Sequence, residues 1–285
     1  MRADIAPVPP LVEMNPRIPF LEGTARVLRN VASHRQLVGE LIQRDIRLRY
    51  RNSALGYVWS LLQPLGLSAC YFLLYAIIAG KPEARAPLWI FLGVLTWSYF
   101  AKALSDSVNC LTRGESMIKQ IYFPREIFAV TSTGSALVIA LLSLLVSVPL
   151  LIYYGQGPTV HLWMVPVGLI LAGLLALGVG LGVACLNVVN RDVEHLFRFL
   201  IRAGMFLSPV MWSLDRVPAS RAGILDVLLM NPLAVPITMV RNGVDGRELG
   251  LQAGHVTYSV AFCLVSFVVG TMVFKRFEAG VVKKI

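Results

Sequence analysis

Apolar residues gather into six long blocks, at about 55–79, 87–111, 127–154, 161–189, 194–214 and 255–274, each with the length of a membrane-crossing helix. Polar turns at 80–86 and 155–160 join the first block to the second and the third to the fourth. Three stretches depart from this pattern. Residues 33–51 place Val38, Ile42, Ile46 and Tyr50 four apart, with Leu37 and Leu41 beside them, and stack Arg44, Arg47 and Arg51 on the other side. Ser33 and Gln36 have the spacing of a capping box, so a basic amphipathic helix is predicted to start there. Such a helix lies in the membrane surface rather than crossing it; a solvated helix packed on a soluble partner is the alternative. Residues 215–254 contain two apolar runs, 222–230 and 233–240, split by Asn231-Pro232. Each is too short to span, which predicts a re-entrant or surface helical hairpin over about 218–245, before the last block.

The third stretch, residues 112–126, is charged and wedged between the second and third blocks. Thr112 and Glu115 again have capping-box spacing, and Pro124 supplies a stop, so a helix is predicted over about 112–124. Met117/Ile121 and Ile118/Tyr122 fall at i, i+4 on one side, while Lys119 and Gln120 point elsewhere. So compact an amphipathic helix in a loop offers a docking surface. The block before it, taken as one helix, measures about 37 Å against a hydrocarbon core of about 30 Å. Its polar end (Lys102, Ser105, Asp106, Ser107, Asn109) is expected to project out of the membrane and carry the docking segment with it. In the fourth block, Gly168, Ala172, Ala176, Gly180 and Ala184 recur at four-residue intervals, with Gly178 and Gly182 adding a GxxxG. Such a face lets helices approach closely, and packing within the chain is favoured over a dimer seam.

Composition agrees with an all-α membrane protein: 56% of the 285 residues are hydrophobic, 15% are charged, and the mean hydropathy is +0.68. The length suits about six spans with short loops and leaves no room for a soluble catalytic domain. A net charge of +10 raises the question of nucleic acid. Yet twenty of the twenty-six Lys and Arg residues lie in the N-terminal segment, 102–126, 190–203 and the tail after Phe274, all on one side of the six-span plan. The positive-inside rule accounts for that bias, places both termini and residues 112–126 in the cytoplasm, and removes the case for nucleic acid. Cys70, Cys110, Cys185 and Cys263 sit in or beside apolar blocks and read as small buried hydrophobes. Pro7, Pro9, Pro10, Pro16 and Pro19 break up any signal-peptide core. The expected plan is a Pro-rich cytoplasmic arm over 1–32, an interfacial helix over 33–54 and a six-span domain over 55–285.

Catalytic patterns are missing. Gly80-Lys81 is followed by Pro82 and lacks the upstream glycine of a P-loop. There is no HExxH, no Gly-x-Ser-x-Gly and no metal-ligand cluster, and His34, His161, His195 and His255 are scattered at block ends. No Asp or Glu falls in the middle of a block, so an ion-driven carrier has no residue to use. A transporter built this way takes its energy from outside, through a surface such as 112–126.

These segments match a family. Arg44-Asp-Ile-Arg-Leu-Arg-Tyr-Arg-Asn-Ser-Ala-Leu-Gly-Tyr-Val-Trp-Ser-Leu-Leu-Gln-Pro64 resembles the opening of the membrane subunit of ABC exporters for lipid-linked polysaccharides, which serve O-antigen, capsule, teichoic acid and cell-wall galactan export. Met117-Ile-Lys-Gln-Ile-Tyr-Phe-Pro124 is similar to that family's coupling helix. Ser208-Pro-Val-Met-Trp212 and Asn231-Pro-Leu233 resemble its landmarks around the fifth span and the outer hairpin. The resemblance covers about residues 33–285. It implies a homodimer in the bacterial inner or plasma membrane with two copies of a separate ATP-binding-cassette subunit. That subunit would bind ATP and Mg, so this chain holds no cofactor, metal or catalytic residue. The substrate implied is a glycan on a polyprenyl diphosphate, moved from the cytoplasmic to the outer side. An ABC permease for a small drug or lipid is the runner-up.

Site assignments follow from that resemblance. Glu115, Met117, Ile118, Lys119, Ile121 and Tyr122 are the expected ATPase-coupling residues. Trp59, Tyr71, Tyr75, Trp97 and Phe100 are candidates for a channel whose flat rings stack on sugars, with core packing or an interfacial belt as the plainer role. Arg44, Arg47, Arg51, Arg198 and Arg202 are candidates for the diphosphate, which the guanidinium fork suits. Asp192 or Glu194 could instead pair with Arg198 and Arg202, and anionic lipid could satisfy the others.

Overall fold

The computed structural model describes residue 19 and residues 22–51, 55–56, 58–80, 83–113, 124–212 and 222–282. Every regular element among them is helical: α1 (Gly23–Ser33), α2 (Arg35–Tyr50), α3 (Val58–Ala79), α4 (Ala86–Val108), α5 (Cys110–Arg113), α6 (Glu126–Leu144), α7 (Ser147–Tyr153), α8 (Met164–Val189), α9 (Asp192–Leu207), α10 (Ala222–Leu229), α11 (Ala234–Asp245) and α12 (Ala253–Val282), with a 3-10 turn at Val160–Trp163. Among the described residues, five stretches are long and apolar enough to cross a membrane: Val58–Ile78, Ala86–Val108, Glu126–Tyr153, Val160–Val189 and Ala253–Val281. The block expected as a fifth crossing at 194–214 forms a 16-residue helix instead. At about 24 Å it is shorter than the hydrocarbon core. It stops because Ser208 precedes Pro209 and takes the extended conformation (φ −92°, ψ 150°) that proline imposes on its neighbour.

Helix α8 is the hub. Its small residues admit three neighbours: Gly168 lies under the Pro236 carbonyl of α11, Gly180 against Ser107 of α4, and Gly178 against Ser266 and Gly270 of α12. A Cβ on Gly270 would overlap the Gly178 carbonyl, so the two backbones touch directly. The small-residue face therefore serves packing within the chain, as its spacing suggests. The core between α4, α8 and α11 is filled by Phe91, Leu92, Leu95, Leu169, Leu175, Ile237 and Val240. In α3, Pro64 cannot donate to the Ser60 carbonyl four residues back, and Ser143 Oγ of α6 donates to that carbonyl instead, at 3.3 Å.

Contacts define two ends of the bundle. At one, Asn30 of α1, Glu126 of α6 and Lys275 of α12 meet, and Asn187 of α8 donates to Val108 and Asn109 at the end of α4. At the other, Arg241 of α11 bridges Trp89 of α4 and Val210, which lies just past α9. Ser259 of α12 donates there to Pro232. The described chain begins and finishes at the same end.

Three expectations change. The residues before 33 are not all an extended arm: α1 occupies 23–33 and packs on α12, with Gly23 against Met272, Val27 buried, and Thr24 Oγ1 2.9 Å from Thr271 Oγ1. Ser33 ends α1 rather than capping α2; its hydroxyl donates back to the Asn30 carbonyl. The polar end of the second block does not project freely. Helix α4 ends at Val108, and Asp106, Ser107 and Asn109 are buried, because α8 offers Asn187 as a partner and small residues to lie against.

Candidate functional site

The residues expected to couple to an ATPase, Glu115, Met117, Ile118, Lys119, Ile121 and Tyr122, lie outside the described residues. What the structure describes is how the two flanks of that segment are held. On the leading side, Asn109 breaks the helix, and its side-chain amide donates to the Ser105 carbonyl (2.9 Å) while Asn187 donates to the Val108 carbonyl (3.2 Å). These bonds satisfy acceptors that the end of α4 leaves open. The short α5 that follows is tied back to α4 by Asp106, whose carboxylate accepts from Lys102 Nζ (2.6 Å) and from Arg113. The Thr112 hydroxyl donates to the Asn109 carbonyl at 3.0 Å, and Glu115, its expected capping-box partner, lies outside the described residues. Cys110 is fully buried here, and burial, with Cys185 nearby, pushes its thiol far above the usual range.

On the trailing side, Glu126 opens α6 and is completely buried. Lys275 of α12, also buried, donates to Glu126 Oε2 at 2.6 Å and to Glu278 Oε1 at 2.9 Å. Asn30 of α1 donates to Glu126 Oε1 at 2.7 Å. One ammonium thus joins two carboxylates on two helices, and α1 closes the cluster. Charges buried like this persist only when paired and hydrogen-bonded. Sequence reading missed the cluster, because Lys275 and Glu278 read as the start of a charged tail. Their i, i+3 spacing, directly after an apolar block, was the signal available.

The candidate channel aromatics separate by burial. Trp59 is half exposed on α3. Tyr71 and Tyr75 are partly buried on the same helix: Tyr71 Oη lies 3.3 Å from the sulfur of Met205 on α9, and Tyr75 meets Trp89 edge-on at 5.3 Å between centroids. Trp97 and Phe100 on α4 are 6% and 7% exposed, tilt against each other at 5.6 Å, and belong to the core on which Tyr71 and Tyr75 pack. Gly204 of α9 leaves room for the Trp97 ring.

The candidate arginines form two groups. Arg44, Arg47 and Arg51 surround an open cavity beside Leu48. On α9, Arg198 pairs with Glu194 at 3.3 Å, the carboxylate partner expected as one possibility, and Arg202 is exposed one turn further on.

A second arginine had no place among these assignments. Arg241 is 6% exposed; its Nε donates to the Trp89 carbonyl (2.9 Å), its two terminal nitrogens to Trp212 (3.2 Å) and Val210 (2.6 Å), and its guanidinium lies 5.1 Å from the Trp89 ring. It fastens α11 to α4 and to the segment that leaves α9. A cation placed directly after an apolar run was its only trace in the sequence.

The chain is similar to known proteins over most of its length. The chain is 27% identical over 213 residues to the O-antigen export system permease protein RfbA of Myxococcus xanthus, covering 75% of this chain and 82% of that one. It is 23% identical over 239 residues to RfbA of Klebsiella pneumoniae, covering 84% and 90%. Against the polysialic acid transport protein KpsM of Escherichia coli the figures are 23% over 252 residues, 85% and 93%. Residues 36–244, from the start of α2 nearly to the end of α11, match the ABC-2 type transporter family, and the chain belongs to it.

Proposed function

We propose that this chain is the membrane subunit of an ATP-driven exporter that carries a polyprenyl-diphosphate-linked polysaccharide from the cytoplasmic to the outer side of the inner membrane. The observation that carries this is the likeness, over three quarters or more of the chain, to permeases named for O-antigen and polysialic acid transport. The working unit is a homodimer with two copies of an ATP-binding-cassette subunit, which holds ATP and Mg and docks on 112–126 through Met117, Ile118, Ile121 and Tyr122, with Glu115 and Lys119 setting register.

The chain crosses the membrane six times, α9 and the segment after it making the fifth crossing. Two features support this: α9 leads from the end that holds Asn187 to the end that holds Arg241, and α1 and the last turns of α12 share one end. The excess of Lys and Arg at that end makes it cytoplasmic. Helix α2 lies in the cytoplasmic interface, and α10 with α11 forms the outer re-entrant hairpin. Trp59, Tyr71 and Tyr75 face the glycan path between protomers, with Trp97 and Phe100 behind them. Arg44, Arg47 and Arg51, with Arg198 and Arg202, receive the diphosphate.

The test is complementation in a strain that lacks its own O-antigen permease, with the partner ATPase supplied, scored by surface glycan. Ile118→Asp is expected to insert normally, lose ATPase co-purification and abolish export. Export of glycan by that variant at the wild-type level refutes the docking assignment; failure of the wild-type chain to export any lipid-linked glycan refutes the substrate.

A further inference from the structure

A cavity of about 500 Å³ opens between α2, α3, α4 and α6, and a smaller one of about 180 Å³ continues it toward α5. Both are lined by Arg49 and Lys102, so they form one groove with its basic part in the middle. The walls grade in polarity along the helix axes. On α3, Trp59 is followed by Gln63 and then Leu67; on α4, Lys102 is followed, moving into the bundle, by Ser98 and Leu95. Each step is three or four residues, about one helical turn, so cation, hydroxyl and aliphatic side chain on α4, and indole, amide and aliphatic side chain on α3, follow one another over roughly 10 Å. A headgroup, a glycerol ester region and the start of an acyl chain are spaced in the same order.

The charges fit a single phosphate. Lys102 already shares Asp106 with Arg113. Arg49 makes no ion pair or hydrogen bond among the described residues, and Gln63, an amide within a membrane-length helix, makes none either. An unpaired polar group facing hydrocarbon is costly unless a ligand or water meets it. Basic pockets between helices at the cytoplasmic side of a bundle are where anionic lipid headgroups bind.

We propose that this groove is a resident-lipid site, in which Arg49 and Lys102 hold the phosphodiester of an anionic glycerophospholipid and Gln63 and Ser98 meet its ester region. Its acyl chain runs along Leu67, Leu95, Ile139 and Ala140. Among the described residues that line the larger cavity only Arg49 and Lys102 are charged, and Lys102 already pairs with Asp106, which matches a phosphodiester's single charge better than the higher charge of a diphosphate. Arg44, one of the arginines assigned to the exported lipid, lines the smaller part of the groove but not the larger part where the acyl chain would lie, and the site does not depend on which glycan is carried.

Native mass spectrometry of the purified transporter complex, titrated with phosphatidylglycerol or with phosphatidylcholine, tests it. Wild type is expected to retain one phosphatidylglycerol per chain and no phosphatidylcholine. Arg49→Gln, on an exposed face of α2, is expected to weaken phosphatidylglycerol about tenfold, the effect of losing one charge-assisted contact. Arg276→Gln, an equal loss of charge at an exposed position on α12, is expected to leave it unchanged. Equal retention of the two lipids, equal loss in both variants, or a polyprenyl diphosphate in place of the phospholipid overturns the proposal.

Discussion

Replacing Lys275 by Met tests how the trailing flank of the proposed docking segment is anchored. The side chain keeps nearly its length and loses its charge, leaving Glu126 and Glu278 facing each other with 0% and 4% of their surface exposed. At contacts of 2.6 and 2.9 Å and an effective dielectric of about 20, each pairing is worth roughly 6 kcal/mol before desolvation. Burying three ions offsets most of that, so the intact cluster contributes little net stability. Breaking it is different, because the remaining carboxylates keep their desolvation cost without the buried ammonium, Glu126 retaining only the Asn30 amide, and about 3–5 kcal/mol is lost. Glu126→Gln/Lys275→Met/Glu278→Gln removes every charge at similar volume and is expected to regain most of the loss. Thermal unfolding in detergent, followed by size-exclusion of the surviving protein, reads both variants. If the triple variant is as unstable as Lys275→Met, unpaired charge is not the cause and the account of this cluster is wrong.

Three further outcomes follow from the packing. Gly270→Ala pushes a methyl into the Gly178 carbonyl and should cost at least the roughly 1–3 kcal/mol of ordinary overpacking; a normal yield of monodisperse protein would contradict the direct contact of α8 and α12. Arg241→Met strips donors from three carbonyls, each about 1–3 kcal/mol if left bare, so the order of thermal stability is expected to be wild type, then Arg241→Lys, then Arg241→Met. Wild-type stability in Arg241→Met would count against that bridge. With the other cysteines replaced, Cys110 should resist maleimide at neutral pH in folded protein, since burial keeps its thiol protonated, and react once unfolded; prompt labelling of the folded form would place it at a solvated surface.

What could be read from the chain depended on how far apart the partners lie. Apolar blocks and their turns gave most helices, because each is a local pattern. The four-residue spacing of Gly168, Gly180 and their neighbours was legible as helix packing for the same reason, although which helices came close was not. Lys275 and Glu126 are 149 residues apart, and nothing near either one names the other. Arg241 binds backbone carbonyls, which have no identity in a sequence at all. The length of α9 was over-read because hydropathy runs on past Ser208, whereas the helix stops before Pro209. Helix α1 was hidden by the proline-rich stretch before it; its contacts with α12, at Gly23 and Thr24, are small or polar and leave only a weak pattern.

The anchoring has a consequence for how ATPase movement would act on the proposed exporter. The leading flank of the docking segment is fixed to α4 and α8, through Asp106, Asn109 and Asn187. The trailing flank is fixed to α12 and α1, through Glu126, Lys275 and Asn30. Helices α8 and α12 are in turn joined backbone to backbone at Gly178 and Gly270, so the two flanks belong to one tightly packed block. A push on 112–126 therefore cannot spread the flanks without breaking buried ionic contacts, each costing several kcal/mol. It moves the block instead. Two long helices outside the block are α3, on which Ser60, Pro64 and Ser68 are the buried residues, and α9, on which Met205 alone is buried. Those two helices carry Trp59, Tyr71, Tyr75, Arg198 and Arg202. Under the proposed function, the tightly packed part of the chain would receive the force and the loosely held part carries the residues proposed to meet the substrate, so the proposed glycan path would open by displacement of α3 and α9 against a core that stays intact.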